Sequence, residues 1–103
     1  MSPNEITHLI QVELLSETNL ENVFGLDLTK CLIEPTKNLY NSATIVGLQY
    51  QLWTVLEETE DESGYKIYYD EDTNMFGLGI KSNKDELIDI GSYGTFLETL
   101  YSM

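Results

Sequence analysis

The chain has 103 residues, 42% of them hydrophobic and seven of them tyrosine, enough apolar surface for a single folded domain over 1–103 and too much for a disordered acidic tail. Eighteen acids stand against five lysines and no arginine, a formal net charge of −13, which excludes nucleic-acid binding through a basic patch and favours basic partners. The lone cysteine, Cys31, permits no intrachain disulfide and no multi-thiolate zinc site.

The N-terminus has no basic start followed by an apolar run, and no stretch reaches the roughly eighteen apolar residues of a membrane span. The expectation is a cytoplasmic protein that does not enter the membrane. Ser2-Pro3-Asn4-Glu5 combines a capping residue, a proline at the first helical position and a glutamate three residues after the cap. It predicts a helix from about Pro3 to about Glu17. Ile6, Leu9, Ile10 and Leu14 form its apolar stripe, while Val12 and Leu15 lie off it and Glu13 interrupts it. Such a helix has two apolar contacts to satisfy, one of which a partner chain could supply, and a homodimer is compatible with this.

After Thr18-Asn19, the segment Leu20 to Gly25 reads as a short helical turn closed by glycine. Leu28 to Glu34 reads as a strand that Pro35 confines to an edge or bends, with extension resuming from Lys37 to Tyr40 and a turn at Asn41-Ser42. Ile45 to Leu56 is the longest strand expected: Leu48, Tyr50, Leu52 and Leu56 share the core parity, and Trp53 and Val55 on the other need a covering element or a partner.

An acidic connection, Glu57 to Gly64, leads to a hairpin over Gly64 to Ile80 that organises the fold. With its turn at Asp72-Thr73, Asp70 pairs with Met75, Tyr69 with Phe76, Tyr68 with Gly77, Ile67 with Leu78, Lys66 with Gly79 and Tyr65 with Ile80. One face is then wholly apolar or aromatic. On the other, Tyr68 and Lys66 lie over the bare backbones of Gly77 and Gly79. A polar connection, Lys81 to Glu86, precedes a short strand from Leu87 to Ile90, and Gly91-Ser92 opens a helix carrying Tyr93, Phe96, Leu97, Leu100 and Tyr101. The expected fold is α+β: an N-terminal helix, an antiparallel meander of four or five strands, and a C-terminal helix packed on one sheet face.

No stretch commits the chain to a chemistry. Asp70-Glu-Asp72-Thr-Asn74 imitates the start of a calcium loop, but Met75 stands where glycine is needed and Lys81 where the bidentate glutamate is needed, so it reads as a turn. Gly77-Leu-Gly79 lies inside a strand and is no phosphate loop. His8, the only histidine, and Cys31 lack any supporting nucleophile or base motif. No catalytic residue, cofactor or metal site is predicted.

The residues singled out for partner binding are Glu57, Glu58, Glu60, Asp61, Glu62, Asp85 and Glu86, acids expected at one end of the meander, with Trp53 and Tyr68 as aromatic anchors beside a floor of Gly77 and Gly79. In composition the chain is similar in kind to bacterial immunity proteins and antitoxins, small, acidic and cysteine-poor. The leading expectation is a non-enzymatic module that neutralises or docks a basic protein. Two alternatives are a DNA mimic that blocks a DNA-binding protein, and a small-molecule binder or enzyme with a pocket near Trp53 and Tyr68.

Overall fold

A computed structural model of the chain describes residues 2–15, 31–58, 64–82 and 86–102. The elements are α1 (Pro3–Leu14), β1 (Leu32–Ser42), β2 (Gln49–Glu57), β3 (Lys66–Asp70), β4 (Met75–Lys81), β5 (Leu87–Gly94) and α2 (Phe96–Leu100). The capping box at Ser2 starts α1, with the Ser2 hydroxyl accepting from the Glu5 amide at 3.3 Å. The expected continuation to Glu17, the turn over 20–25 and the strand start over 28–30 lie outside the described residues.

β1 runs through Pro35 with extension beyond it, as expected, while two other expectations, about the turn after β1 and the start of the last helix, need correcting. The proline is buried where the pairing with β2 slips between Leu32 and Thr36, an irregularity that tolerates a residue without an N–H. β1 also continues through Asn41 and Ser42. The turn comes later, with Ile45 and Val46 exposed in it and Gly47 at a φ of 82°. At the other end of the chain, β5 runs on through Gly91 and Gly94, whose φ values of 147° and 111° are open to glycine and strained for other residues. The helix therefore begins not at Gly91-Ser92 but after Thr95, whose hydroxyl accepts from the Glu98 amide at 3.1 Å.

The β3–β4 hairpin has the expected register from Lys66 with Gly79 to Asp70 with Met75. The sheet, however, is not an open antiparallel meander. Tyr40, Asn41 and Ser42 of β1 pair in parallel with Leu87, Ile88 and Asp89 of β5, closing the five strands into a small barrel.

Closure gives the two strand faces different fates. The cross-strand row Thr54, Tyr68, Gly77 and Ser92 and the row Lys66, Gly79 and Asp89 line the lumen. Tyr40, Leu52 and Tyr68 fill it as a cluster to which, among the described residues, no helix contributes. The glycines make room: a Cβ on Gly79 would lie 2.6 Å from Cε2 of Tyr40, and one on Gly77 would collide with the Tyr68 ring.

The opposite row, Trp53, Tyr69 and Phe76, faces outward under the helices. Here Ile6 and Ile10 of α1 and Phe96 and Leu100 of α2 join Val55, Ile67 and Leu78 in the larger core. Tyr69 packs on Phe76 with centroids 4.7 Å apart, and Phe76 meets Phe96 edge-on at 5.6 Å. The covering element that Trp53 and Val55 required is thus helical. Leu56 joins this outer face and not the Leu52 face, because the β2–β3 register slips between Thr54 and Leu56.

Candidate functional site

Of the acids expected to bind a partner, register brings Glu57, Glu58 and Glu86 to one end of the barrel. Glu57 pairs with Lys66, Lys66 with Gly79, and Lys81 with Leu87, so the connections after β2 and after β4 leave from the same end. Both connections are tied at their bases: the Glu58 amide donates to the Tyr65 carbonyl at 2.9 Å, and the Ser82 amide to the Glu86 carbonyl at 2.8 Å. Glu60, Asp61, Glu62 and Asp85 lie outside the described residues.

Trp53 and Tyr68 do not flank a groove. Trp53 belongs to the outer core at 9% exposure and Tyr68 to the lumen at 1%, so the barrel wall separates them, and the Tyr68 ring itself occupies the space above Gly77. Neither is available as a surface anchor. The physical reason is parity: adjacent rows of a closed sheet point to opposite sides of its wall. The indole N–H of Trp53 is buried and has no acceptor among the described residues, while the Lys37 ammonium stands 5.3 Å from its ring centroid.

Inside the barrel the polar atoms satisfy one another. The Tyr40 hydroxyl and the Thr54 hydroxyl are 2.6 Å apart, and Thr54 donates to Asn38 at 2.8 Å. Tyr68 donates to the Asp89 carboxylate at 2.7 Å and lies 2.9 Å from the Ser92 hydroxyl. Burial raises the pKa of the Tyr40 phenol to about 12, and burial likewise pushes the Tyr68 phenol upward, with the Asp89 charge acting in the same direction. Lys66, 3% exposed, is held by Glu57 at 3.7 Å. These groups are packed and paired as a buried polar core.

A cleft of about 450 Å³ opens outside the barrel, where α1, the tip of the β3–β4 hairpin and the turn into α2 meet. It is lined by apolar Leu9, by Tyr69 and Phe76, and by the polar wall residues Glu13, Asn74 and Glu98. Each wall residue is positioned by the local fold. Glu13 accepts the Phe96 and Leu97 amides, one on each carboxylate oxygen at 3.1 Å, and so caps α2 from α1. Asn74 adopts a left-handed φ of 57° in the hairpin turn and accepts from the Tyr69 hydroxyl at 2.9 Å. Glu98 accepts from the Thr95 hydroxyl at 3.2 Å and lies against Gly94, where a Cβ would come within 3.2 Å of its carboxylate.

Sequence reasoning missed this cleft although two signals were present. Thr95-Phe-Leu-Glu98 is itself a capping box, and Glu13 breaks an apolar helical stripe because it faces the start of α2. Elsewhere, His8 is exposed on α1, and the Cys31 thiol donates to the Glu58 carbonyl at 3.6 Å. Asp70 accepts the Asp72 amide at 2.9 Å as a turn residue, and among the described residues no group of three potential metal ligands converges. Leu9, Val12 and Leu15 leave an exposed apolar line on α1. Comparison with family models, with curated proteins and with solved structures returned no match.

Proposed function

We propose that the chain is a non-enzymatic binding module that neutralises or docks a basic protein partner, in the manner of the immunity proteins and antitoxins it is similar to in composition. The observation that carries this reading is the charge of −13 on a chain without arginine. That figure already counts all five lysines, and two of them, Lys37 and Lys66, lie beside Glu71 at 3.0 Å and Glu57 at 3.7 Å. A lumen filled by Tyr40, Leu52 and Tyr68 supports recognition on the outer surface over binding inside the barrel.

Glu57, Glu58 and Glu86 at one end of the barrel, together with Glu60, Asp61, Glu62 and Asp85, which are near them in sequence, steer the partner in this reading. A dense single-sign field raises encounter rates and selects partners of opposite charge. The test is capture of the folded protein's partners from its source cells at about 0.05 M salt, identification by mass spectrometry, and reconstitution from purified components. A basic protein that rebinds and is released as salt rises supports the reading. Capture of no protein, or only of acidic ones, contradicts it.

A further inference from the structure

The cleft beside α2 has a chemistry of its own. Its accessible apolar lining is mainly Leu9, 36% exposed, with Tyr69 and Phe76 only 2% and 4% exposed, and its only charged lining groups among the described residues are the carboxylates of Glu13 and Glu98. A volume of about 450 Å³ falls within the range of roughly 300–1,000 Å³ typical of small-molecule sites and has room for one long side chain. Such a lining selects a long side chain with an apolar stem and a cationic, flat head. A guanidinium meets that description better than an ammonium, because it is weakly hydrated and donates in a planar fork that matches carboxylates.

We propose that this cleft receives an arginine side chain of the basic partner, an inference that rests on the proposed function and gives it a location. The arginine stem lies along Leu9, and the guanidinium donates to Glu98. The Asn74 carboxamide, oriented by the Tyr69 hydroxyl at 2.9 Å, closes one side. Glu13 contributes negative charge from a carboxylate already fixed by the α2 amides. The site is built before its ligand arrives, and this lowers the ordering cost of binding.

The experiment is an NMR titration of the labelled protein, at about 0.15 M salt, with capped hexa-arginine, hexa-lysine and uncharged hexa-citrulline peptides. Saturable amide shifts at Leu9, Asn74, Gly94 and Glu98 are expected with hexa-arginine, weaker ones with hexa-lysine and none with hexa-citrulline. Glu98→Gln should weaken hexa-arginine binding by about tenfold, the loss expected for one charge-assisted hydrogen bond. Leu9→Lys, which places a cation of the protein's own in the cleft, should abolish the shifts while leaving the rest of the spectrum in place.

Shifts confined to Glu57, Glu58 and Glu86, or binding unaltered in Glu98→Gln and Leu9→Lys, would overturn the arginine site while leaving the basic-partner reading intact. Failure of the reconstitution described above would instead remove that reading itself. A captured basic partner that binds both variants as tightly as the parent also overturns the cleft.

Discussion

Gly77→Ala is the sharpest test of the packed lumen. The glycine has no special φ, so only space is at stake: an added methyl collides with the Tyr68 ring and sits 2.5 Å from the Gly91 carbonyl oxygen. The backbone on one side cannot retreat without breaking the β4–β5 ladder, and the ring on the other is anchored by Asp89 at 2.7 Å and Ser92 at 2.9 Å. Overpacking costs about 1–3 kcal/mol. Prising the phenol from a carboxylate costs a further 1.5–3 kcal/mol or so. The stiffer unfolded chain returns only about 0.4–1 kcal/mol. The net loss is about 2–5 kcal/mol, a large share of the roughly 5–15 kcal/mol that holds a domain together. In urea this lowers the midpoint by about 1–3 M. Tyr68→Leu removes the ring atoms that the methyl meets but leaves the Gly91 carbonyl, so in that background Gly77→Ala should lose the phenol share of its cost, about 1.5–3 kcal/mol, and keep the rest. A single variant whose midpoint stays within about 0.3 M of the parent, or equal losses in both backgrounds, would refute the packing argument.

Phe96→Ala should destabilise by about 3–5 kcal/mol, since the ring is 1% exposed and packs edge-on against Phe76; an unchanged thermal midpoint would show that α2 is not part of the core. Glu13→Ala should cost about 1–3 kcal/mol by freeing the Phe96 and Leu97 amides, with Glu13→Gln costing less, and amide exchange at those two positions reads the loss directly. The alkaline limb of stability should be steep. Tyr40 titrates at about 12 folded against about 10 unfolded, so its contribution, on the order of 2 kcal/mol, is complete below about pH 10 and is lost as pH rises through 12. Tyr40→Phe should flatten that limb in denaturant titrations run from about pH 9 to 12.

The hairpin was legible in the sequence because two constraints agreed: the apolar parity of Ile67, Tyr69, Phe76 and Leu78, and the placement of Gly77 and Gly79 opposite Tyr68 and Lys66. The first helix was legible because its capping box is local. Closure into a barrel was not, since it depends on three parallel pairs between Tyr40–Ser42 and Leu87–Asp89, residues 47 apart in sequence with no local mark of their adjacency. The fates of Trp53 and Leu56 were hidden for related reasons. Parity alone cannot tell the inside of a barrel from its outside, and the register slip near Val55 reverses which face later residues take. The cleft was missed because Glu13 and Glu98 are 85 residues apart and meet only through the docking of α2 on α1.

The most direct measurement of the central claim is the association rate of the reconstituted basic partner as a function of salt, for the parent protein and for Glu60→Gln/Asp61→Asn/Glu62→Gln. If the acidic connections steer the partner as proposed, the parent rate falls steeply as ionic strength rises, because the Debye length shortens to about 8 Å at physiological salt and to about 3 Å at 1 M. The triple variant should associate more slowly at low salt and with a shallower dependence, converging on the parent at high salt. Identical rates and slopes for the two proteins across the whole range would contradict the account.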